Sequence, residues 1–277
     1  MIEGRPSRSA QGMAMHRAAH QIFDRPLLFE DPVALPIIGS EARQALPSFR
    51  DDLAIRAFTV VRSHYAECEL RRAVQSGVRQ YVVLAAGLDT FACRNGAAGL
   101  RVIEVDSPAT QAWKRARMHE EGIASPKSLR LAPVDFEKQT LAEGLHEAGF
   151  QSGQPAVFSF LGAAVFLQAS TVMDIAKFVG GLPRQSALIF DYGIVSSALD
   201  EAQLAERARV ARGLAAVGEP MVTFFDPDVL DRSLRQFGFG DIEDIGYRKM
   251  NARYFTDRTD GLRVGHNGRR LIRARIS

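Results

Sequence analysis

The stretch Gln80 to Arg94 reads Q-Y-V-V-L-A-A-G-L-D-T-F-A-C-R, and its reading decides the fold. Tyr81, Val82, Val83 and Leu84 form a continuous apolar run, as expected of a strand buried on both faces of a parallel sheet. The run breaks into Ala85-Ala86-Gly87, where small side chains let a ligand approach the main chain. Asp89 and Thr90 follow, both able to hold a turn through a side-chain oxygen. Strand, small-residue turn and polar cap together form the ligand edge of a doubly wound α/β sheet.

The next strand extends this reading. Leu100 to Val105 is L-R-V-I-E-V, ending at Asp106. Asp106 stands about 20 residues after Gly87, the separation between a glycine turn and the ribose-binding acid of nucleotide-binding βαβ units. Taken alone, Glu104 and Asp106 are equally well read as solvated charges at a strand end; the glycine turn at the right distance favours a ribose ligand for Asp106.

The chain has 277 residues, 46% hydrophobic, with Lys+Arg 35 against Asp+Glu 32 and a net charge of +3. That suits one domain over 1–277: a helical cap region at 1–78, then a sheet core at 79–277 with C-terminal substrate-side insertions. The basic residues are scattered, which argues against nucleic acid. Cys68 and Cys93 give no metal spacing and no disulfide framework, so a reducing, cytoplasmic setting is expected. No apolar run approaches the roughly 18 residues of a membrane helix.

Along the chain, Ser9 to Asp24 has helical periodicity with Ser7 or Ser9 as its cap, a short helix ends near Gly39, and a long one spans about Asp51 to Gln75 beyond Pro47. Pro108 opens a further helix, in which Trp113 is expected to pack. A third strand at about Leu129 to Val134 ends in Asp135-Phe136; Asp135 either accepts from a base amine or caps a helix over Glu137 to Glu147. A fourth strand ends near Ser159 to Leu161 with a bend at Gly162, and a fifth spans Ala187 to Asp191. Helices follow at Ala198 to Leu214 and after Asp226, then a sixth strand near Ile242 to Ile245. Arg269 to Ile276 alternates as a seventh, with Gly265 and Gly268 suggesting a hairpin that makes an antiparallel pair at one sheet edge. His16 and His20 share a helix face, but without a third ligand they read as exposed helix histidines. Arg56 and Arg62, on the long helix, read by themselves as solvated or ion-paired.

Several motifs occur together: S-R-S-A at Ser7, F-D-R-P-L-L-F-E-D-P at Phe23, V-V-L-A-A-G-L-D-T at Val82, E-V-D-S-P-A-T-Q-A-W-K at Glu104, V-D-F-E at Val134, F-S-F-L-G at Phe158 and F-D-Y at Phe190. In these the chain resembles the leucine carboxyl methyltransferase-like family of S-adenosylmethionine-dependent methyltransferases, nearest its bacterial natural-product O-methyltransferase branch. The resemblance implies a class I methyltransferase fold: a Rossmann-like seven-stranded sheet with the last strand antiparallel. It also implies that Arg62 pairs with the methionine carboxylate of S-adenosylmethionine and that Ala86 and Gly87 line the methionine. Asp106 would hold the ribose, Asp135 with Phe136 the adenine, and Phe160 and Leu161 would pass beneath the sulfonium. This chain departs from the family at Leu161, where eukaryotic members carry glutamate, and at Phe160 and Phe166, where bacterial ones often carry tryptophan and tyrosine.

The expected activity is methyl transfer to a carboxylate or hydroxyl of a small molecule, in polyketide-like metabolism, by a monomer or homodimer. No residue stands out as catalytic base, which favours an acceptor that is already acidic. Arg253 and Tyr254 are candidates for gripping it, equally well read as loop ties to Asp257 or Asp260. The alternatives are a protein carboxyl methyltransferase, a cofactor-binding protein without catalysis, and a nicotinamide-dependent oxidoreductase, the last disfavoured because A-A-G-L-D-T lacks the third glycine of the dinucleotide fingerprint.

Overall fold

The computed structural model describes residues 7–134 and 139–277. Four helices precede the first strand: α1 (Arg8–Phe23), α2 (Ala34–Ile38), α3 (Ser40–Gln44) and α4 (Leu53–Gln75). Ser7 caps α1 as expected, its side chain accepting from the Ala10 amide. Pro47 stands between α3 and α4 as expected, in a 3-10 turn at Leu46–Phe49. The run Ala14 to His20 is buried throughout, because α1 packs against both α2 and α4. The expectation of exposed histidines is therefore wrong: His16 and His20 are both buried.

The sheet has seven strands: β1 (Gln80–Leu84), β2 (Arg101–Asp106), β3 (Leu129–Pro133), β4 (Val157–Phe160), β5 (Ala187–Gly193), β6 (Phe239–Gly246) and β7 (Arg269–Ile276). Their order is β3-β2-β1-β4-β5-β7-β6, with β7 antiparallel to both its neighbours. This is the arrangement the resemblance implied. Side chains alternate across the sheet. Val82, Leu84, Phe158 and Phe190 face one core. Tyr81, Val83, Val157 and Ile189 face the other, with Phe58, Val61 and Tyr65 of α4.

Five more helices fill the first connections and flank them: α5 (Phe91–Arg94), α6 (Pro108–Glu120), α7 (Leu141–Glu147), α8 (Ala169–Gly180) and α9 (Glu201–Ala216), before α10 (Pro227–Gln236) and α11 (Tyr247–Tyr254). Trp113 on α6 packs against the α1–α2 core, as expected. α7 is shorter than the helix read over Glu137 to Glu147, because Thr140 closes its N-terminus in a capping box with Glu143. α8 and α11 were not anticipated, although Val172, Ile175, Ala176 and Val179 give α8 a clear apolar stripe. β6 and β7 do form an antiparallel pair at the edge. They are not a hairpin: α11 intervenes, and β7 inserts between β5 and β6.

Candidate active site

The parallel strands β1 and β4 are adjacent, and the chain crosses to opposite sides of the sheet on leaving them, so their C-terminal ends frame a crevice. At its rim Ala85 and Gly87 both take a φ of 50°. For Gly87 the conformation costs little; Ala85 bears some strain. The Gly87 amide donates to Asp106 Oδ2 at 2.7 Å, and the Ser107 amide donates to Oδ1 at 2.7 Å. Ser107 also caps α6. The turn after β1 is thus laced to the end of β2 through one half-buried carboxylate. Burial raises the Asp106 pKa, and the Gly87 and Ser107 amides oppose the rise. Helix α1 covers this turn closely: a Cβ on Gly87 would lie 2.9 Å from Ala10 Cβ.

Glu104 is not a solvated strand-end charge. It is buried, 2.5 Å from Lys114 Nζ, which also donates to the Asp89 carbonyl at 2.6 Å. Burial raises its pKa and Lys114 counters. A second buried carboxylate, Asp31, accepts from Thr90 Oγ1 at 2.5 Å and lies 3.4 Å from Arg94 and 3.7 Å from Arg17. Arg17 in turn donates to the Leu88 carbonyl at 2.5 Å. The G-L-D-T turn is therefore held by residues of two other motifs. Lys114, Asp31 and Arg17 had no role in the sequence reading. Asp31 and Lys114 lie inside quoted motifs, which was their only signal.

Arg62 is buried on α4 and reaches Asp191 on β5 at 3.3 Å. Asp191 also accepts from the Gly162 amide at 2.5 Å. Gly162 has a φ of 76°, and a Cβ there would sit 2.5 Å from an Arg62 guanidinium nitrogen. Only glycine admits that approach, which explains the last residue of F-S-F-L-G. Phe160 turns its side chain into the core, so it can face the crevice only through its backbone. Leu161 is half-buried and packs on the opposite core. Asp135 and Phe136 lie outside the described residues.

The structure brings Arg62, Ala86, Gly87, Asp106 and Leu161 to one edge. The polar and aromatic contacts of Arg253 and Tyr254 run elsewhere. Arg253 pairs with Glu243 at 3.4 Å, not with Asp257 or Asp260, and Tyr254 meets His64 edge-on at 5.6 Å. Asp260 pairs instead with Arg258. Among the described residues no group of three or more His, Cys, Asp or Glu is placed to hold a metal. His20 bonds Asp24 through Nδ1 at 2.7 Å and accepts the Leu28 amide at Nε2, so both ring nitrogens are used. A cleft of about 520 Å³ beside Arg184, Arg275 and Ser277 opens at the far edge of the sheet, away from these residues.

The crevice suits an adenosyl cofactor bearing an amino-acid tail. Its rim carries little side-chain bulk, a half-buried carboxylate stands at the end of β2, and a buried guanidinium stands at the tail end. Comparison with known proteins agrees. The chain is 27% identical over 278 residues to YktD of Bacillus subtilis, provisionally named an S-adenosyl-L-methionine-dependent methyltransferase, covering 90% of this chain and 91% of that protein. A protein of the same provisional naming from Frankia alni is 32% identical over 184 residues, covering 63% of this chain and 64% of its own length. A solved structure from Thermobifida fusca, titled as a methyltransferase on the same provisional footing, superposes with a TM-score of 0.58 at 15% identity, covering 100% of this chain and 97% of that one, and shows the shared fold. The leucine carboxyl methyltransferase profile matches residues 10–180. By that match the chain belongs to the leucine carboxyl methyltransferase family.

Proposed function

We propose that this chain, an S-adenosylmethionine-dependent methyltransferase like its relatives, methylates a carboxylate or hydroxyl oxygen of a small molecule in natural-product metabolism. The observation that carries the reading is the Gly87–Asp106 junction, set beside the Arg62–Asp191–Gly162 cluster on one sheet edge. When bound, the cofactor supplies an electrophilic methyl on a sulfonium, whose sulfur keeps the bonding electron pair as the acceptor oxygen takes the methyl.

The chain's own residues bind, orient and exclude water. Asp106 offers its remaining lone pairs to ribose hydroxyls. Arg62 offers its N–H groups to the methionine carboxylate, and Asp191 holds it in place. Ala86 and Gly87 present backbone. Asp135 and Phe136 are assigned to adenine by the resemblance alone. Such positioning can supply roughly 7–11 kcal/mol of the barrier. A carboxylate acceptor is ionised at neutral pH and needs no base. Residues 1–277 act as one unit in this reading, with 1–78 as a cap over the cofactor edge. Its setting is cytoplasmic, as a monomer or homodimer. Two unpaired cysteines suit a reducing compartment, and no helix among the described residues is long and apolar enough to cross a membrane.

Calorimetric titration with S-adenosylhomocysteine tests the reading. Saturable binding is expected, weakened at least tenfold in Asp106→Ala. Absence of binding to the intact chain would sink the reading.

A further inference from the structure

The corner where β5, β7 and α9 meet holds more positive charge than its carboxylates balance. Arg269 opens β7 opposite Gly193, at the C-terminal end of β5, and so lies on the same sheet edge as Asp191. Its guanidinium carbon is 5.5 Å from the Phe58 ring centroid, while that of Arg62 is 5.8 Å from the same ring. No carboxylate of the described residues forms an ion pair with Arg269. Arg207, on α9, lies against the residue before it: a Cβ on Gly268 would be 2.9 Å from Arg207 Nη2. Both terminal nitrogens of Arg207 are buried without a hydrogen-bond partner among the described residues. Among the described residues its close aromatic neighbour is Phe224, at 4.4 Å. The adjacent Glu206 is committed to Arg209 at 2.7 Å.

Asp191 is the one buried carboxylate here, and it already serves Arg62 and the Gly162 amide. His16 adds no negative charge. It too is buried, and its Nδ1 lacks a partner among the described residues. A guanidinium shielded from water without a counter-charge is costly unless a ligand completes it. Its planar fork matches a carboxylate. The bound cofactor brings one carboxylate, assigned to Arg62, but also an ammonium and a sulfonium that add positive charge. Counter-charge for this corner therefore remains to be supplied.

We propose that Arg269 and Arg207 form an acceptor subsite that anchors a carboxylate-bearing small molecule beside the methyl donor. This rests on the methyltransferase reading above and narrows its acceptor class. A carboxylate held this way has its charge shared with two guanidiniums. It serves as the handle, and a second oxygen of the acceptor receives the methyl. Burial also holds the pKa of both arginines below the ordinary guanidinium range, with Asp191 and Glu206 opposing at Arg269; both remain cations at any working pH.

The test is fluorine NMR on the full chain, titrating 4-fluorobenzoate and its neutral isostere 4-fluorobenzamide, with and without saturating S-adenosylhomocysteine. The expected result is benzoate binding at least tenfold tighter than benzamide. Arg269→Gln and Arg207→Gln should each remove most of that difference while S-adenosylhomocysteine affinity stays within twofold. Equal binding of the two probes, no benzoate binding, or preference unchanged in both variants would overturn the subsite. The isostere comparison on the unaltered chain needs no variant to fold. Failure of S-adenosylhomocysteine to bind would count against the methyltransferase reading, and the probe comparison would still be read without it.

Discussion

Two regions of this protein bury arginines, and they do so in opposite ways. In the N-terminal layer Arg56 meets Asp24 through two bonds of 2.8 and 2.9 Å and donates further to the Phe49 and Arg50 carbonyls. Burial works against the Asp24 charge, yet hydrogen bonds from His20 and Arg56 hold its carboxyl below the usual range. At the β5–β7–α9 corner Arg207 has no such partner among the described residues. The difference separates structure from readiness. A satisfied buried pair fixes a scaffold, whereas an unsatisfied one leaves its interaction energy for a ligand.

The contrast can be broken most directly at its satisfied end. Asp24→Ala leaves Arg56 buried and uncompensated, and about 3–5 kcal/mol of unfolding free energy should be lost in urea denaturation. A loss near zero would mean the N-terminal layer tolerates unpaired charge as the corner does.

His16 joins the two regions, since it sits on α1 yet feels Arg56, Arg62 and Arg269. Burial first, and then those cations, lower its pKa to about 4. A depressed folded value means the stability it contributes is present above its unfolded value of 6.5 and is lost as pH falls toward 4. That loss amounts to about 3 kcal/mol. Thermal melts across this window should show a shallower acid slope for His16→Gln than for the unaltered chain. Identical slopes would remove His16 from the arginine corner.

Smaller, and opposite in sign to the Asp24 result, is the effect expected of Arg207→Met without ligand. Removing an unpartnered cation under Phe224 should leave stability unchanged or raise it by about 1 kcal/mol. A clear loss in the same denaturation assay would show that Arg207 is already satisfied. Smallest of all is Arg253→Ala. Its pair with Glu243 is more than one-third exposed on both sides, so a change of about 0–1 kcal/mol is expected, with S-adenosylhomocysteine affinity intact by calorimetry.

The same contrast explains what was legible in the sequence. β1, the Gly87 turn, β2 and Asp106 are local patterns, since period, small residues and spacing all lie within one stretch. Those parts of the edge are legible in the sequence alone. The partners were not. Asp191 lies 129 residues from Arg62, and nothing local says that they meet. Glu104 looked solvated because Lys114, which neutralises it, is contributed by the following helix. The buried histidines of α1 were misread because a helix covered on several sides loses the polar stripe that marks exposure. Helix α8 is a different kind of miss, for its apolar spacing was present and went unused.

Glu219, just after α9, ties that segment to the start of α1. Its carboxylate accepts the Arg8 and Ser9 amides at 2.8 and 2.9 Å, closing the first turn of α1 across 211 residues. Burial opposes its charge, but those hydrogen bonds keep the carboxyl below its ordinary range. Helix α1 is the cover that lies on Gly87. On a ribosome it emerges before β1, and its clasp emerges some two hundred residues later. Closing so long a loop costs only slightly more entropy than closing a short one, so the delay is one of synthesis. The nascent chain can pair β1 with β2 early, but the roof over that edge latches only once Glu219 has emerged.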